Sequence, residues 1–253
     1  MWAHERHSRI VALLNERQRL TTEMFSAELG VSKETIRRDL IELELSGKLS
    51  RVHGGAIPQT FPVEASYAER GQLHKDEKRG IALAAAPLLE AGMSCFIDAG
   101  STTQALAQVL VGRSDLHIVT NSVGIASLLA GNAALDVVLL GGRLAMETPA
   151  TYGDQTVSEI GRYRLDAAIV SPTAFDADNG AMDYLWHEAA VAKAMLDHAA
   201  MRVLLVDSSK LARSSRVQIC ATTAVDVLVT DAGADERSGQ RLLAAGVKRI
   251  LKP

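Results

Sequence analysis

Two arginines stand side by side in a short segment whose neighbouring residues favour a helix. Arg37 and Arg38 follow Ser32, a residue type that caps helix N-termini by accepting a backbone hydrogen bond. Ile36 and Leu40 are four positions apart and share one helix face, which leaves both guanidinium groups on another. Guanidinium groups bind phosphates and guanine edges through paired hydrogen bonds, so this helix has the chemistry of a nucleic-acid-binding surface.

An arginine pair is also typical of a solvated surface helix, and the flanking segments favour the DNA-binding interpretation. Residues 20–30 predict a helix that ends at Gly30, and a helix, a tight turn and a second helix form a helix-turn-helix. Residues 47–56 alternate apolar and cationic side chains before paired glycines, which indicates a β-wing with Arg51 and His53 on its outer face. The predicted DNA-binding residues are Thr21, Thr22, Ser32, Lys33, Glu34, Thr35, Arg37, Arg38, Arg51 and His53.

A second set of polar residues lies in loops that follow predicted strands. Residues 101–103, Ser-Thr-Thr, come after Asp98 and Gly100, so backbone N–H groups and hydroxyls converge at the positive end of a helix, which suits a phosphate. Asp98 could accept hydrogen bonds from sugar hydroxyls, and Lys210 could add a compact positive charge. These residue types are also common caps and turn formers, but their recurrence after four strands favours a ligand site. The predicted effector-binding residues are Asp98, Gly100, Ser101, Thr102, Thr103, Thr120, Asn121, Ser122, Gly141, Gly142, Arg143, Tyr184, Trp186, Glu188 and Lys210.

Tyr184 and Trp186 form an aromatic cluster in a chain that is only 4% aromatic. Their rings could stack on the face of a sugar and select the effector, or they could pack in the core. The sequence favours neither alternative.

The elements that must position these residues change in character along the chain. From about residue 79, apolar segments typical of buried parallel strands alternate with helical segments, which predicts a doubly wound α/β domain. Two prolines within residues 57–62 indicate a domain boundary. We predict a winged helix-turn-helix at 3–58, a linker and connecting helix at 59–78, and an effector-binding domain at 79–253. The predicted strands are 93–98, 116–120, 135–140, 165–170, 202–207 and 225–230, with a possible last strand at 247–251.

Charge and composition restrict the class of protein. The net charge of −3 argues against a non-specific polycation, although residues 1–58 carry nine basic against eight acidic residues and the remainder is acidic. The two cysteines lie far apart in apolar segments, so we expect buried free thiols and no metal site. No signal peptide or membrane-length apolar run is present, and we expect a cytoplasmic protein with no membrane association.

Residues 35–40, Thr-Ile-Arg-Arg-Asp-Leu, followed by residues 51–56, Arg-Val-His-Gly-Gly-Ala, resemble the DeoR family of bacterial transcription regulators. The Asp98–Thr103 loop, Thr120-Asn121-Ser122, the Gly141-Gly142 pair and residues 207–210, Asp-Ser-Ser-Lys, resemble the family's sensor domain in the same order. The resemblance implies a winged helix-turn-helix joined to a domain of the ribose-phosphate isomerase fold. A departure is residues 171–175, Ser-Pro-Thr-Ala-Phe, where the family often has glycines.

We therefore expect a repressor of a sugar or sugar-phosphate catabolic operon that a phosphorylated sugar releases from its operator. It would need no cofactor and would bind double-stranded DNA as a homodimer or homotetramer. The alternative is a sugar-phosphate isomerase-like enzyme with a DNA-binding appendage, for which Asp98, Asp166 and Glu188 are candidate general bases. An assembly module without a ligand would leave the four polar loops unexplained.

Overall fold

The chain divides into two structural units, Met1–Glu64 and Ala65–Pro253. The computed structural model describes residues 3–17, 19–45, 48–52, 54–58, 66–145 and 148–253. Residues 59–65, in which the domain boundary was expected to begin, lie outside the described residues. The predicted limits of the linker therefore remain a prediction.

The first unit is a three-helix cluster with a small antiparallel sheet. Its elements are α1 (Ala3–Arg17), β1 (Leu20–Thr21), α2 (Thr22–Leu29), α3 (Lys33–Leu45), β2 (Leu49–Val52) and β3 (Gly55–Pro58). The sheet has the order β1-β3-β2, and β2 pairs antiparallel with β3, which confirms the predicted wing. Apolar residues at helical spacing on the three helices meet in one core, which includes Ile10, Leu14, Phe25, Ile36, Leu40 and Leu43.

The second unit has a layered α/β architecture. Its helices are α4 (Tyr67–Gln72), α5 (Lys75–Ala85), α6 (Ser101–Leu110), α7 (Val123–Leu129), α8 (Asp154–Ile160), α9 (Trp186–Asp197) and α10 (Glu236–Ala244). Its strands are β4 (Ser94–Ile97), β5 (Leu116–Thr120), β6 (Leu135–Leu139), β7 (Arg143–Leu144), β8 (Thr151–Tyr152), β9 (Leu165–Val170), β10 (Ala174–Asp176), β11 (Gly180–Asp183), β12 (Ala199–Leu205), β13 (Val217–Cys220), β14 (Val227–Val229) and β15 (Arg249–Leu251).

Seven of these strands form a parallel sheet with the order β15-β14-β12-β9-β4-β5-β6. All seven predicted strands are present, which confirms the α/β class. Successive residues of a strand face opposite layers: Cys95 and Ile97 pack with α5, α6 and α7, whereas Phe96 packs with α8 and α9 on the other face. Both faces are covered, which explains why the strands are apolar throughout.

Several elements differ from the sequence predictions. The one connecting helix expected within residues 59–78 is instead two helices, α4 and the start of α5, with a break at His74, whose φ is 53°. The helix α5 continues to Ala85 because Ile81 and Ala82 pack in the core. A β7–β8 hairpin and a three-stranded antiparallel sheet, β10-β11-β13, were not predicted.

The remaining expectations concern thiols, metals and membranes. Cys95 is buried, Cys220 is half-buried, and both are free thiols, as predicted. Over the described ranges, no cluster of three histidine, cysteine or acidic side chains could hold a metal ion. Within those same ranges, no helix is both long and apolar enough to cross a membrane.

Candidate functional site

The turn between α2 and α3 has the geometry that the sequence predicted. Gly30 ends α2 in the left-handed conformation, with φ 65° and ψ 30°. The Ser32 hydroxyl accepts a hydrogen bond from the Thr35 backbone N–H at 3.1 Å and lies 2.9 Å from the Thr35 hydroxyl. Ser32 is therefore the N-cap of α3, which confirms the prediction, and both of its contacts orient the exposed first turn of that helix.

The exposed face of α3 carries both arginines. Ile36 and Leu40 are buried, whereas Arg37 and Arg38 are exposed, as their spacing predicted. Arg37 approaches Glu34 at 3.4 Å, but both side chains are more than 60% exposed, and such pairs contribute little to stability. In the described part of the chain, the Arg38 guanidinium makes no ion pair or hydrogen bond. Both groups can therefore bind an external partner.

Asp39, between these arginines and Leu40, has a structural role that the sequence did not reveal. It is only 3% exposed and accepts two hydrogen bonds from Arg6, at 2.5 and 2.8 Å, and one contact from His7 at 3.1 Å. Burial alone would raise the pKa of the Asp39 carboxyl, but the bonds from Arg6 and His7 outweigh it and hold that pKa below its usual value. This network ties α3 to α1 and fixes the orientation of α3.

The other predicted DNA-binding residues differ in exposure and in their bonding partners. Thr22 is buried, and its hydroxyl donates to the Gly54 carbonyl at 3.2 Å, so the prediction that it contacts DNA is corrected: it joins α2 to the wing. The exposed Thr21 is the N-cap of α2, and Lys33 bonds Glu23 at 2.7 Å on the surface. Arg51 is held by Glu44 at 2.7 Å but remains 43% exposed, while His53 lies outside the described residues.

In the second unit, a cavity lies where the direction of strand addition reverses. The strand β4 is central: β5 and β6 are added on one side of it, and β9, β12, β14 and β15 on the other. Asp98, Asn121 and Ser171, which follow the carboxyl ends of β4, β5 and β9, all line this switch-point cavity. Ligands of doubly wound proteins bind at this position. The other lining residues are Arg70, Ala99, Ala145, Thr148, Ala150, Thr151, Tyr152, Thr173, Asp183, His187, Glu188 and Val191.

Of the two predicted acidic residues that line the cavity, Asp98 and Glu188, Asp98 is the more buried. Its carboxylate is 7% exposed and accepts the Ala99 N–H at 2.8 Å, and Asn121 Oδ1 accepts the same N–H at 2.9 Å. Burial, with a smaller contribution from the charge of Glu188, raises the pKa of Asp98 to about 7. Asp98, Asn121 and Glu188 are therefore the predicted effector-binding residues that the structure brings together.

The Ser-Thr-Thr segment lies beside this cavity rather than in its wall. No side chain caps α6, which begins at Ser101, so the N-terminal end of this helix is open to an acceptor. Thr102 and Thr103 are fully buried, and the Thr103 hydroxyl donates to the Gly100 carbonyl at 3.0 Å. Gly100 is extended, a conformation that any residue adopts, and a Cβ there would lie 3.1 Å from the Thr103 hydroxyl, so close packing rather than a turn favours glycine.

Most polar groups in the loops after β5 and β6 form hydrogen bonds within the protein. Thr120 is buried, and its hydroxyl donates to the Ile97 carbonyl at 2.6 Å, while Ser122 is the N-cap of α7. Gly141 donates its N–H to Glu159, and Gly142 has φ 144° with Thr156 so close that no side chain would fit. The exposed Arg143 pairs with Tyr152 across the β7–β8 hairpin. None of these five predicted residues lines the cavity, because their polar groups face the backbone or solvent.

The aromatic cluster and Lys210 are also placed outside the cavity wall. Trp186 is 75% exposed, and Tyr184 is half-buried with the Arg216 guanidinium 4.2 Å above its ring. Neither residue is among those that form the described core or line the described cavity wall. Lys210 donates to the Pro172 carbonyl at 3.1 Å.

Sequence reasoning missed several residues of the cavity wall, above all Arg70 and Asp183. Arg70 is on α4, in a charged segment interpreted as a connecting helix, and it donates to the Thr148 hydroxyl at 3.2 Å. Asp183 is 5% exposed and ends β11, a strand of the unpredicted sheet. The ring of His187 lies 4.4 Å from that of Tyr152. These residues come from four separated elements, which no local sequence pattern brings together.

Two further observations bear on the alternatives. Asp166 lies at the amino end of β9, far from the carboxyl-end loops, and accepts hydrogen bonds from the Ser94 N–H and hydroxyl at 2.8 Å. The expectation that Asp166 could act as a general base on a ligand in this cavity is therefore wrong. A more open groove between the β10–β11 turn and α10 includes Asn179 and Arg241, but none of the predicted effector-binding residues lines it.

Comparison with known proteins agrees with both units. Residues 6–60 match the DeoR-like helix-turn-helix domain, and residues 73–232 match the DeoR C-terminal sensor domain. Against the glycerol-3-phosphate regulon repressor of Haemophilus influenzae, the chain is 37% identical over 89% of its length and 88% of that protein. The corresponding repressor of Escherichia coli is 32% identical over 90% of each chain. The transcriptional repressor GlcR of Bacillus subtilis is 32% identical over 91% of this chain and 89% of that protein.

Among solved structures, ribose 5-phosphate isomerase A of Neisseria gonorrhoeae is 18% identical, with a TM-score of 0.40 over 53% of this chain and 52% of that one. The two DeoR family domains, matched at residues 6–60 and 73–232, together span the described helix-turn-helix, the wing and most of the seven-stranded sheet. The chain belongs to the DeoR family of transcriptional regulators.

Proposed function

We propose that this protein is a DNA-binding repressor of a sugar or sugar-phosphate catabolic operon and that a phosphorylated sugar releases it from its operator. The observation that carries the proposal is the exposure of Arg37 and Arg38 together on a capped helix of a DeoR-like helix-turn-helix. The relatives named above are repressors, two of them of a glycerol-3-phosphate regulon, which supports both the repressor role and a phosphorylated effector.

On DNA, Arg37, Arg38 and Thr35 contact bases and phosphates in the major groove, and Arg51 contacts the backbone from the wing. A homodimer or homotetramer presents two such helices to half-sites separated by one DNA turn, about 34 Å, or a multiple of it. Regulation of this kind takes place in the cytoplasm, where the operator DNA of a prokaryote lies.

The effector binds in the switch-point cavity. Asp98, Asn121 and Glu188 accept hydrogen bonds from sugar hydroxyls through their side-chain oxygens. The uncapped N-terminus of α6 adds a favourable potential for an anionic group. Effector binding weakens operator binding to the extent that the effector binds the DNA-free arrangement more tightly.

The isomerase alternative rests on Asp98, whose pKa of about 7 suits a general base. The names of the relatives favour regulation instead. Turnover of ribose 5-phosphate above a protein-free blank would support the enzyme, and we expect none.

The DNA-binding proposal is tested with Arg38→Ala. An operator is first selected from random duplexes with the unaltered protein, and affinity is then measured by fluorescence anisotropy. Loss of a bidentate contact costs about 1–3 kcal/mol, so we expect operator affinity to fall about ten- to hundredfold. Arg79→Ala, at an exposed arginine on α5, is the matched control and should bind like the parent. Equal affinities of the Arg38 variant and the parent would contradict the proposal.

A further inference from the structure

Arg70 is the residue of the switch-point cavity that best suits the anionic group of an effector. Among the described residues that line the cavity, it is the only lysine or arginine, whereas Asp98, Asp183 and Glu188 supply three carboxyl groups. A phosphate group carries nearly two negative charges at neutral pH and is repelled by carboxylates. The charges of the wall therefore favour the phosphate at the Arg70 side and the hydroxyls at the acidic side.

We propose that Arg70 binds the phosphate of the effector and thereby makes α4 the element that senses occupancy of the cavity. This inference rests on the proposed function, because it concerns how the same cavity holds its effector. It differs from the sequence-based expectation, which placed the cationic contribution at Lys210. The Lys210 ammonium donates to the Pro172 carbonyl, and Lys210 is absent from the described wall of the cavity.

The backbone of α4 holds Arg70 in position. Ser66 and Glu69 form a capping box at the start of the helix. The buried Lys78 ammonium donates to the Arg70 carbonyl and, at 2.8 Å, to the Leu73 carbonyl, and so fixes the end of α4 against α5. The Arg70 guanidinium also lies 5.7 Å from the centre of the Tyr67 ring. A preorganised guanidinium loses little conformational entropy when it binds a phosphate.

Arg70 and Thr148 contact each other in the wall of the cavity. The cavity leaves about 20 Å³ for the centre of a water molecule, which is room for roughly one water molecule and far too little for a phosphosugar. Binding must therefore displace part of the wall. The Thr148 hydroxyl is a neutral acceptor of an Arg70 hydrogen bond at 3.2 Å, and a phosphate oxygen accepts a stronger, charge-assisted hydrogen bond from the same guanidinium. Since α4 is the first helix after the DNA-binding unit along the chain, its displacement is suited to transmit occupancy.

The test compares phosphorylated with non-phosphorylated compounds on the full-length protein. Glycerol 3-phosphate, ribose 5-phosphate and glucose 6-phosphate are titrated calorimetrically beside glycerol, ribose and glucose. Loss of a charge-assisted contact predicts that Arg70→Gln weakens binding of the phosphorylated compound about ten- to hundredfold. Binding of its non-phosphorylated counterpart should stay within about twofold. Arg70→Lys should restore part of the loss, because it keeps the charge but not the fork.

Two further variants separate phosphate binding from a merely structural role. Arg79→Gln removes an exposed arginine from α5 and should bind like the parent. Thr148→Val removes the hydroxyl that Arg70 bonds, and it should keep the preference for the phosphorylated compound. Unaltered binding by Arg70→Gln, or an equal loss in Thr148→Val, would overturn the inference and leave the proposed function standing. If the parent protein binds none of the three phosphates, the proposed function itself fails.

Discussion

Two buried aspartates show how the same residue type acquires opposite properties. Asp39 has a guanidinium and an imidazole within hydrogen-bonding distance, and their bonds hold its pKa low in spite of burial. Asp98 has no cationic partner in its described bonds and has a second carboxylate, Glu188, in the same cavity wall, so burial raises its pKa to about 7. The first charge stabilises the fold, whereas the second is retained at a cost in stability, which is typical of a binding site.

The raised pKa of Asp98 predicts a pH-dependent effect of Asp98→Asn on stability. The folded protein binds the Asp98 proton more tightly than the unfolded chain, so this carboxyl destabilises the fold increasingly as pH rises from about 4 to about 7. Asparagine has the same shape, accepts the Ala99 N–H and does not ionise. We expect the variant to exceed the parent in free energy of unfolding, with the difference growing by about 3 kcal/mol between pH 5 and pH 8.

Urea unfolding of the second unit at several pH values measures this difference. Asp166→Asn is the control, since hydrogen bonds from the Ser94 N–H and hydroxyl lower the pKa of that exposed carboxyl instead. A pH-independent difference between Asp98→Asn and the parent would show that Asp98 is ionised at both ends of the range.

At the scale of the element, α3, which we propose as the recognition helix, depends on contacts that lie behind its exposed face. The Arg6–Asp39 ion pair joins α1 to α3, and both side chains are largely buried, at 12% and 5% exposure. Removing one partner of such a pair leaves the other charge uncompensated, whereas exposed pairs contribute little. The orientation of Arg37 and Arg38 therefore depends on a residue that does not itself face DNA.

Asp39→Asn should destabilise the first unit by about 3 kcal/mol and weaken operator binding without altering effector affinity. Because the pKa of Asp39 is lowered on folding, its contribution is present above pH 4 and disappears as pH falls through the folded value. The stability difference between variant and parent should therefore be largest at neutral pH and shrink in acid. Thermal unfolding of the variant and the parent at pH 7 and pH 3 measures this stability difference.

Glu34→Gln supplies the matched control on the same helix. It breaks the Glu34–Arg37 pair, in which both side chains are mostly exposed, and we expect no measurable change in the unfolding transition. If Asp39→Asn were equally neutral, the network behind α3 would have no role in holding the recognition helix.

The elements that were predictable are those with a strong local pattern. The parallel strands are apolar on both faces, and the turn before α3 has its glycine and its serine cap only two positions apart. The β10-β11-β13 sheet consists of strands of three or four residues, which are too short for a clear period. The cavity wall was only partly predictable, because Asp98 and Asn121 follow strands, whereas Arg70 and Asp183 are brought in by tertiary packing.

At the scale of the whole molecule, the proposed regulation requires that the two units influence each other. The recognition helix and the switch-point cavity belong to different units, and the linker residues join them along the chain. Neither site can regulate the other unless the effector binds one arrangement of the protein more tightly than the other. The same free energy then appears in both binding reactions, because coupling between sites is reciprocal.

This reciprocity gives a quantitative prediction for the intact protein. The phosphorylated compound that binds most tightly should raise the Kd for operator DNA by about five- to 150-fold. A saturating operator duplex should raise the Kd for that compound by the same factor. Arg70→Gln should weaken effector binding and so shift release to higher effector concentrations. Arg38→Ala should instead weaken operator binding about ten- to hundredfold and keep effector affinity. Anisotropy and calorimetric titrations with and without the second partner measure both factors. Tight effector binding that leaves operator affinity unchanged would separate the cavity from regulation, and operator affinity that rises instead would make the effector a co-repressor.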